Sequence, residues 1–457
     1  MIFKKSLLFL IAFVIAIASI NGQIPGDRSK YYNYGARFYS ELHFFPADDP
    51  DSVKAVLMFR ISYSTLNFIK PTEIPETSGA FIALPYVEAE IKDSEGIIRN
   101  LAEWRDTIVT DDYDATKARD VFVFGYKEIS LANDTYSAEI RLLDHNQTVT
   151  KEIELSEIKE LQFFKKELIA PPILTQRIEE NGELSFFPYI FQNRIPFSGK
   201  NNVLLLQVSY KDEFPKYDFT ISLESEDIKG LIWKNPTTLN GRTIPEENKC
   251  IRLSDKTNID GVDLFLDNCD NAGSENKFGV LRIPLPQENL VPGNYDLKVV
   301  KAGSGDTLSH TFKVKWMDMP LSLYNYEYAA EMMYYILTED QLEEIKDGSI
   351  EEIRLKVWKY WTDHDPTPNT LYNEAMQQYF DRVDHAYYNY KSFSQKDGAK
   401  SARGKIYILK GAPDSVKRNI NDGIVTEKWY YPNLKKEFVF STANNSNYDL
   451  KEINDIE

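Results

Sequence analysis

Tyr295-Asp296-Leu297-Lys298-Val299-Val300 is followed by Ala302-Gly303-Ser304-Gly305-Asp306 and then by His310-Thr311-Phe312-Lys313-Val314-Lys315-Trp316. Two runs alternate apolar with polar residues around a glycine-rich turn, which is the pattern of a β-hairpin. Val291-Pro292-Gly293-Asn294 supplies the turn before it. Just beyond, at Pro320, the apolar period lengthens from two residues to three or four. The chain therefore divides near this point, with strands upstream and a mixed helix-and-strand region downstream.

Upstream, period-2 runs recur at the spacing of an antiparallel sandwich. They include residues 37–45, 55–63, 81–91, 120–124, 135–143 and 151–155. Residues 165–172, ending in Pro171-Pro172, read as a linker. A second β block covers about 184–316, in which 203–210 is so apolar that it reads as a central strand and 217–223 alternates. The expected fold is two antiparallel β-sandwich, immunoglobulin-like domains, at residues 23–160 and 173–318, followed by an α+β module at 321–457.

Downstream, residues 327–337 read as a helix that is apolar on most sides. Thr338-Glu339-Asp340-Gln341 and Ser349-Ile350-Glu351-Glu352 are capping boxes, each opening a helix, with Gly348 ending the first. Ile353, Val357, Trp358 and Trp361 form one stripe on the second, which Asp365-Pro366-Thr367-Pro368 stops. Thr370 is read as the cap of a long helix with Met376, Tyr379, Phe380, Val383, Tyr387 and Tyr390 on its apolar face. Strands are expected again at 405–409, 427–431 and 435–441.

The N-terminus is basic at Lys4 and Lys5, then apolar from 6 to 20, then small and polar at Asn21-Gly22-Gln23. This is the pattern of a cleaved signal peptide, residues 1–22, and the apolar run is shorter than the roughly 20 residues that span a bilayer. No later segment is apolar and long enough to cross a membrane. The sequence thus predicts secretion across an inner membrane, with the mature chain in the periplasm or at an outer membrane. Cys250 and Cys269 are the only cysteines. In an oxidising compartment such a pair is most simply a disulfide, the alternative being two buried thiols. The chain carries a net charge of −17, and −19 without residues 1–22. That charge opposes nucleic acid and acidic lipid as bulk electrostatic partners.

One set of residues carries a family resemblance. Trp358 and Trp361 precede Asp365-Pro366-Thr367-Pro368-Asn369-Thr370, followed by Asn373-Glu374, Tyr379 and Arg382-Val383. Then come Arg403-Gly404-Lys405-Ile406-Tyr407-Ile408, Gly411-Ala412-Pro413-Asp414, Trp429-Tyr430 and Phe438. Together these resemble the C-terminal module of the GWxTD-domain family of exported bacterial proteins. The resemblance implies an extracytoplasmic protein of a Gram-negative envelope and no defined activity. The family's Gly-Trp-x-Thr-Asp reads here Gly398-Ala399-Lys400-Ser401-Ala402, so Ala399, Ser401 and Ala402 replace its Trp, Thr and Asp. The Gly-x-Pro-Asp turn followed by Trp-Tyr and an aromatic strand also resembles small outer-membrane assembly lipoproteins, which bind other proteins.

The densest polar cluster is Asp363, His364, Asp365, Glu374, Asp381, Asp384 and His385. Carboxylates and imidazoles on adjoining helices can share a cation or work as acid and base. Yet Asp365 suits a backbone cap at a helix break, and Asp381, Asp384 and His385 fall on different helix faces. Gly411-Ala412-Pro413-Asp414 lacks the spacing of a phosphate loop and reads as a turn. Arg403 reads as half of a structural ion pair, with Asp414 one candidate partner. The expectation is a non-catalytic envelope protein that binds an envelope protein or glycan and needs no metal or cofactor. The alternatives are a hydrolase of envelope glycan or peptide using the 363–385 region, and a carbohydrate-binding protein.

Overall fold

A computed structural model describes residues 37–456 apart from 48, 71–80, 114, 119, 159–160, 214, 228–237, 255–260, 270–273, 304 and 444–446. The signal-like segment, residues 1–22, lies outside the described residues. One compact unit runs from Asn33 to Met317 and a second begins at Asp318.

The first unit opens with β1 (Phe38–Pro46), β2 (Ser52–Ser62), β3 (Phe81–Ala83), β4 (Tyr86–Asp93) and β5 (Ile98–Arg105). β6 (Ile108–Thr110), β7 (Phe122–Ala132), β8 (Tyr136–Leu143) and β9 (Val149–Ile158) follow. They make a β1-β2-β7 sheet, a β5-β4-β8-β9 sheet and a small β3-β6 pair, all antiparallel. β2 sets how the sheets stack. Its odd-numbered residues, Val53, Ala55, Leu57, Phe59 and Ile61, enter a core shared with Val87, Ala89 and Ile91 of β4 and Ala138 and Ile140 of β8. Its even-numbered Val56 and Met58 enter a different core with Ile173, Phe186, Val203 and Leu205. Strand geometry forces this division, since successive side chains point to opposite faces. The alternation at 55–63 is therefore one of direction and not of polarity, because β2 is covered on both faces.

Arg60 is the buried charged residue of β2. Its guanidinium lies 3.6 Å from the Phe122 ring centroid and 3.9 Å from that of Phe191, and it donates to the Tyr189 carbonyl at 3.0 Å. Burial lowers its pKa to about 9, which leaves it charged at neutral pH. Cation–π contact offsets part of that desolvation.

The rest of the unit comprises β10 (Leu168–Ile169), β11 (Ile173–Glu180), β12 (Glu183–Pro188), β13 (Arg194–Pro196), β14 (Asn202–Tyr210), β15 (Tyr217–Glu226) and β16 (Leu239–Thr243). After them come β17 (Glu246–Glu247), β18 (Lys249–Leu253), β19 (Leu264–Asn268), β20 (Lys277–Leu285), β21 (Gly293–Lys301) and β22 (Thr307–Lys315). One sheet runs β17-β20-β14-β11-β12-β19-β18 with β10 beside β14, and another runs β13-β22-β21-β15-β16. β14 is central, as its apolar run implies, and every one of its residues is buried. Among its polar residues, Gln207 donates to the Gly279 carbonyl at 3.0 Å and accepts from the Ile251 amide at 3.1 Å, and Ser209 donates to the Lys166 carbonyl at 2.7 Å, so their burial is satisfied. The hairpin expected at 295–316 is β21 and β22, paired from Gly293↔Val314 to Val300↔Thr307. Within the 165–172 stretch, read as a linker, Ala170 and Pro172 are buried and β10 pairs with β14, while Lys165, Lys166 and Pro171 are exposed.

Cys250 and Cys269 form a disulfide, with Cα atoms 5.2 Å apart, within the span such a bond requires. It ties the open end of the β18–β19 hairpin, where Cys250 pairs with Asp267.

The second unit holds α1 (Tyr326–Met332), α2 (Glu339–Lys346), α3 (Ile350–Asp363), α4 (Glu374–Asn389) and α5 (Ala402–Lys410). A four-stranded sheet closes it, in the order β23 (Ser415–Asn421), β24 (Ile424–Tyr431), β25 (Lys436–Ala443), β26 (Asp449–Asp455). Among the described residues no helix is long and apolar enough to cross a membrane.

Candidate functional site

Both capping boxes form as read. Thr338 and Gln341 cap α2 reciprocally, and Ser349 and Glu352 cap α3. Each supplies partners for amides that a helix start leaves orphaned. Gly348 follows the end of α2. The α3 stripe buries Ile353, Val357 and Trp361. Trp361 is 2 % exposed, with its ring centroid 5.3 Å from Tyr379 and 5.8 Å from Phe380. Trp358, expected in the same core, is only half-buried, and its indole N–H donates to the Tyr326 hydroxyl at 3.1 Å. It lies about 60° away from Trp361 around the helix, given 100° per residue, which turns it toward α1.

Two expectations are corrected here. The cap of α4 is Asn373, whose side chain accepts from Met376 N at 2.8 Å and donates to the Trp361 carbonyl at 2.6 Å. Thr370 instead belongs to a turn over 368–370, and Pro368 is exposed in that turn. The strand expected at 405–409 is helical, inside α5. Ser401 caps α5, and Gly411, at φ +84°, ends it. The β-branched and aromatic character of Ile406-Tyr407-Ile408 favours a strand, but burial on several sides against α4 and the sheet overrides a propensity worth only tenths of a kcal/mol per residue. Ile406 and Tyr407 pack with Trp429, Phe438 and Phe440 of the sheet, and Tyr407 also stacks on His385 at 4.0 Å.

The polar cluster at 363–385 divides into separate local tasks. Asp363 pairs with Lys359 at 2.6 Å on an exposed helix face. His364 lies over Tyr360 and contacts that residue's carbonyl through Nδ1 at 2.7 Å. Asp365 accepts from the Thr367 amide at 2.8 Å, closing the turn after α3. The Thr367 hydroxyl in turn reaches Glu374 at 2.5 Å. Burial raises the Asp365 pKa and the nearby Glu374 adds to this, while the Thr367 amide and hydroxyl oppose it. Pro366 is exposed at the apex. Asp381 accepts from Gln377 at 3.0 Å. Asp384 is buried and accepts from the amides of Leu321 at 2.5 Å and Ser322 at 3.0 Å, fastening the chain at the head of the unit to α4. Burial pushes its pKa up to about 6 against those hydrogen bonds. Among the described residues, no three His, Cys, Asp or Glu side chains come together as a metal site.

Around α5 the packing is close. A Cβ on Gly404 would lie 2.1 Å from the Gly398 carbonyl oxygen, and one on Gly398 would lie 2.2 Å from that of Ala386. Only glycine permits the start of α5 to sit on the 398–400 turn and that turn to sit on α4. Arg403 pairs with Glu427 of β24 at 3.1 Å, not with Asp414, and both side chains are nearly buried. The guanidinium also lies 3.6 Å from the Tyr448 ring centroid. Arg418 of β23 reaches the same Glu427 at 3.6 Å and donates to the Tyr448 hydroxyl at 2.8 Å. Sequence reasoning missed Glu427 and Tyr448, since no local spacing links them to Arg403. Gly411, Ala412, Pro413 and Asp414 make the turn from α5 into β23, and Asp414 N donates to the Tyr430 carbonyl at 3.0 Å. Tyr431 clasps the turn by donating to the Gly411 carbonyl at 2.9 Å. Trp429 is 2 % exposed in the core between sheet and helix.

Residues 298–456 match the family model of the GWxTD domain. The chain carries a GWxTD domain. The match begins within β21 and so takes in β22, upstream of the 321 boundary read from the sequence. No curated protein matches the chain. Within the altered GWxTD segment, Ser401 keeps a capping role. Ser401 accepts from Gly404 N at 3.0 Å and donates to the Gly398 carbonyl at 2.7 Å, a role open to a threonine as well. Ala402 takes the first helical position, where an acid would favour the helix dipole. Ala399 is fully buried, and its carbonyl accepts from the Tyr335 hydroxyl at 2.8 Å. Nothing in the structure explains why its side chain is not tryptophan.

Proposed function

We propose that the protein is a non-catalytic component of the cell envelope that acts by binding another protein. One observation carries this reading: five polar residues of the GWxTD domain's motif and candidate cluster are engaged in structural contacts. Asn373 and Ser401 cap helices, Asp365 closes a turn, Asp384 holds two amides, and Arg403 is committed to Glu427. The signal-like N-terminus and the Cys250–Cys269 bridge support a site of action outside the cytoplasm, in the periplasm or at the outer membrane. In the same reading the stacked sheets of the first unit are two immunoglobulin-like sandwiches, covering about 23–160 and 173–318, that present the GWxTD domain.

The test sets this against hydrolysis. The full mature chain, Asp365→Ala and His385→Ala are incubated with envelope glycan and peptides, and products are followed by mass spectrometry. The expected result is no turnover by any of the three. Turnover that Asp365→Ala or His385→Ala abolishes, with the unit's amide-exchange protection preserved, would overturn the reading in favour of an enzyme.

A further inference from the structure

The helical layer of the GWxTD domain stops one strand short of the edge of its sheet. Among the described residues β23 is that edge, and all seven of its residues are exposed. Its register places Val416 opposite Trp429, Arg418 opposite Glu427 and Ile420 opposite Val425, so these residues share the inner face. Trp429 and Val425 are 2 % and 7 % exposed beneath Ile406 and Tyr407, whereas Val416 and Ile420 are 51 % and 68 % exposed. Two apolar side chains at strand spacing thus continue the core into solvent. The outer face carries a charge pattern. Lys417 lies directly opposite Lys428, a like-charged pair, and Lys428 has Glu437 at 3.2 Å on its far side. The Lys417 ammonium lies 5.1 Å from the Tyr430 ring centroid. Residues 415–421 contain two cations and no acid, in a chain of net charge −17.

We propose that β23 is a docking edge for an extended acidic segment of another protein, which adds to the sheet as a fifth strand. This rests on the protein-binding reading above. The main-chain groups along an edge strand supply the pairing, and alternate side chains supply the selection. On the outer face an acid opposite Lys417 completes the row Glu437, Lys428, Lys417 with the missing sign. On the inner face apolar side chains flank Val416 and Ile420, leaving Arg418 with Glu427 and Tyr448. A second copy of this chain fits poorly, because edge-to-edge pairing would gather Lys417 and Arg418 from both copies. A lysine on an edge strand can also serve to discourage pairing. That role does not account for the two exposed apolar residues on the opposite face.

The probe is a short labelled peptide of alternating valine and glutamate, with a valine–lysine peptide as control. Each is titrated into the full mature chain, with fluorescence anisotropy for affinity and amide exchange for location. The expected result is binding of the glutamate peptide, slowed exchange at 415–421, and weakening by about fivefold in Lys417→Glu, which then favours the lysine peptide. Lys417 is exposed, so this variant leaves folding intact. No slowing at 415–421, equal affinity in Lys417→Glu, or protection that rises with protein concentration alone would each overturn the proposal. Photo-crosslinkers at Val416 of β23 and at Leu355, an exposed residue of α3, in envelope extract separate the two levels. The same partner captured at 355 by both wild type and Lys417→Glu, without peptide binding at β23, would refute the edge but keep the protein-binding reading. Capture at neither position would remove both.

Discussion

Replacing Trp361 with alanine should unfasten the helical part of the GWxTD domain. The indole is 2 % exposed and lies against Tyr379 and Phe380. A buried tryptophan removes on the order of 200 Å² from water, worth about 5 kcal/mol at roughly 25 cal/mol per Å² as an upper bound. Its N–H has no hydrogen-bond partner among the described residues, which takes back about 1–3 kcal/mol. The cavity left between α3 and α4 adds to the loss, so the cost should fall at about 3–5 kcal/mol. Trp361→Phe removes the unpaired N–H and keeps a ring against Tyr379, and should cost no more than about 1.5 kcal/mol. Because the chain has two compact units, a single global melt would mix their transitions. Hydrogen exchange of the full chain, read on peptides from α3 and α4, isolates the relevant opening energy. A loss below about 1 kcal/mol in Trp361→Ala would refute the buried assignment. Equal losses in the alanine and phenylalanine variants would refute the treatment of the N–H as a burden.

Three further outcomes follow from the same geometry. Arg403→Ala should cost about 1–3 kcal/mol, since it removes the closer partner of a nearly buried Glu427 and leaves it only Arg418 at 3.6 Å, while Arg403→Met combined with Glu427→Leu should recover much of that; exchange at β24 and α5 reads both. Ser401→Thr should be nearly neutral and Ser401→Ala should cost about 1 kcal/mol, measured by urea titration of amide exchange at the start of α5. Asp384 has its pKa raised to about 6 from an ordinary 3.8, so its contribution is fully present below about pH 4 and is lost as pH rises through 6. The stability of wild type relative to Asp384→Asn should therefore fall by up to about 3 kcal/mol between pH 4 and pH 7, measured on peptides of α4. A flat difference would show that the site does not desolvate this carboxylate.

Much of the GWxTD domain was legible because its signals are local. A capping box spans four residues and reports itself wherever the helix packs, so α2 and α3 begin where Thr338 and Ser349 place them. The β21–β22 hairpin is equally self-contained. The α4 start was misplaced because Thr370 and Asn373 are both good caps in isolation. Asn373 is the one that also reaches the Trp361 carbonyl across the unit. The 405–409 segment was misread because alternating Ile and Tyr residues satisfy a strand pattern, and only their surroundings reveal that several sides are buried. For the candidate site, residue types were visible but their partners were not. Nothing in the local spacing joins Arg403 to Glu427 and Tyr448, which lie 24 and 45 positions further on.

By itself the sequence determined what depends on neighbours along the chain: the change from strands to helices near Pro320, the capping boxes at Thr338 and Ser349, and the turn after α5. Tertiary structure decided which faces are covered. β2 and a one-faced strand share the same geometry, and only the arrival of a second core on its even-numbered side distinguishes them. β23 is the converse case. Val416 and Ile420 have the pattern of core residues, yet they stand in solvent because the helices that cover Val425 and Trp429 end one strand earlier. Burial is a property of what else reaches a surface, and that depends on contacts between residues far apart in sequence.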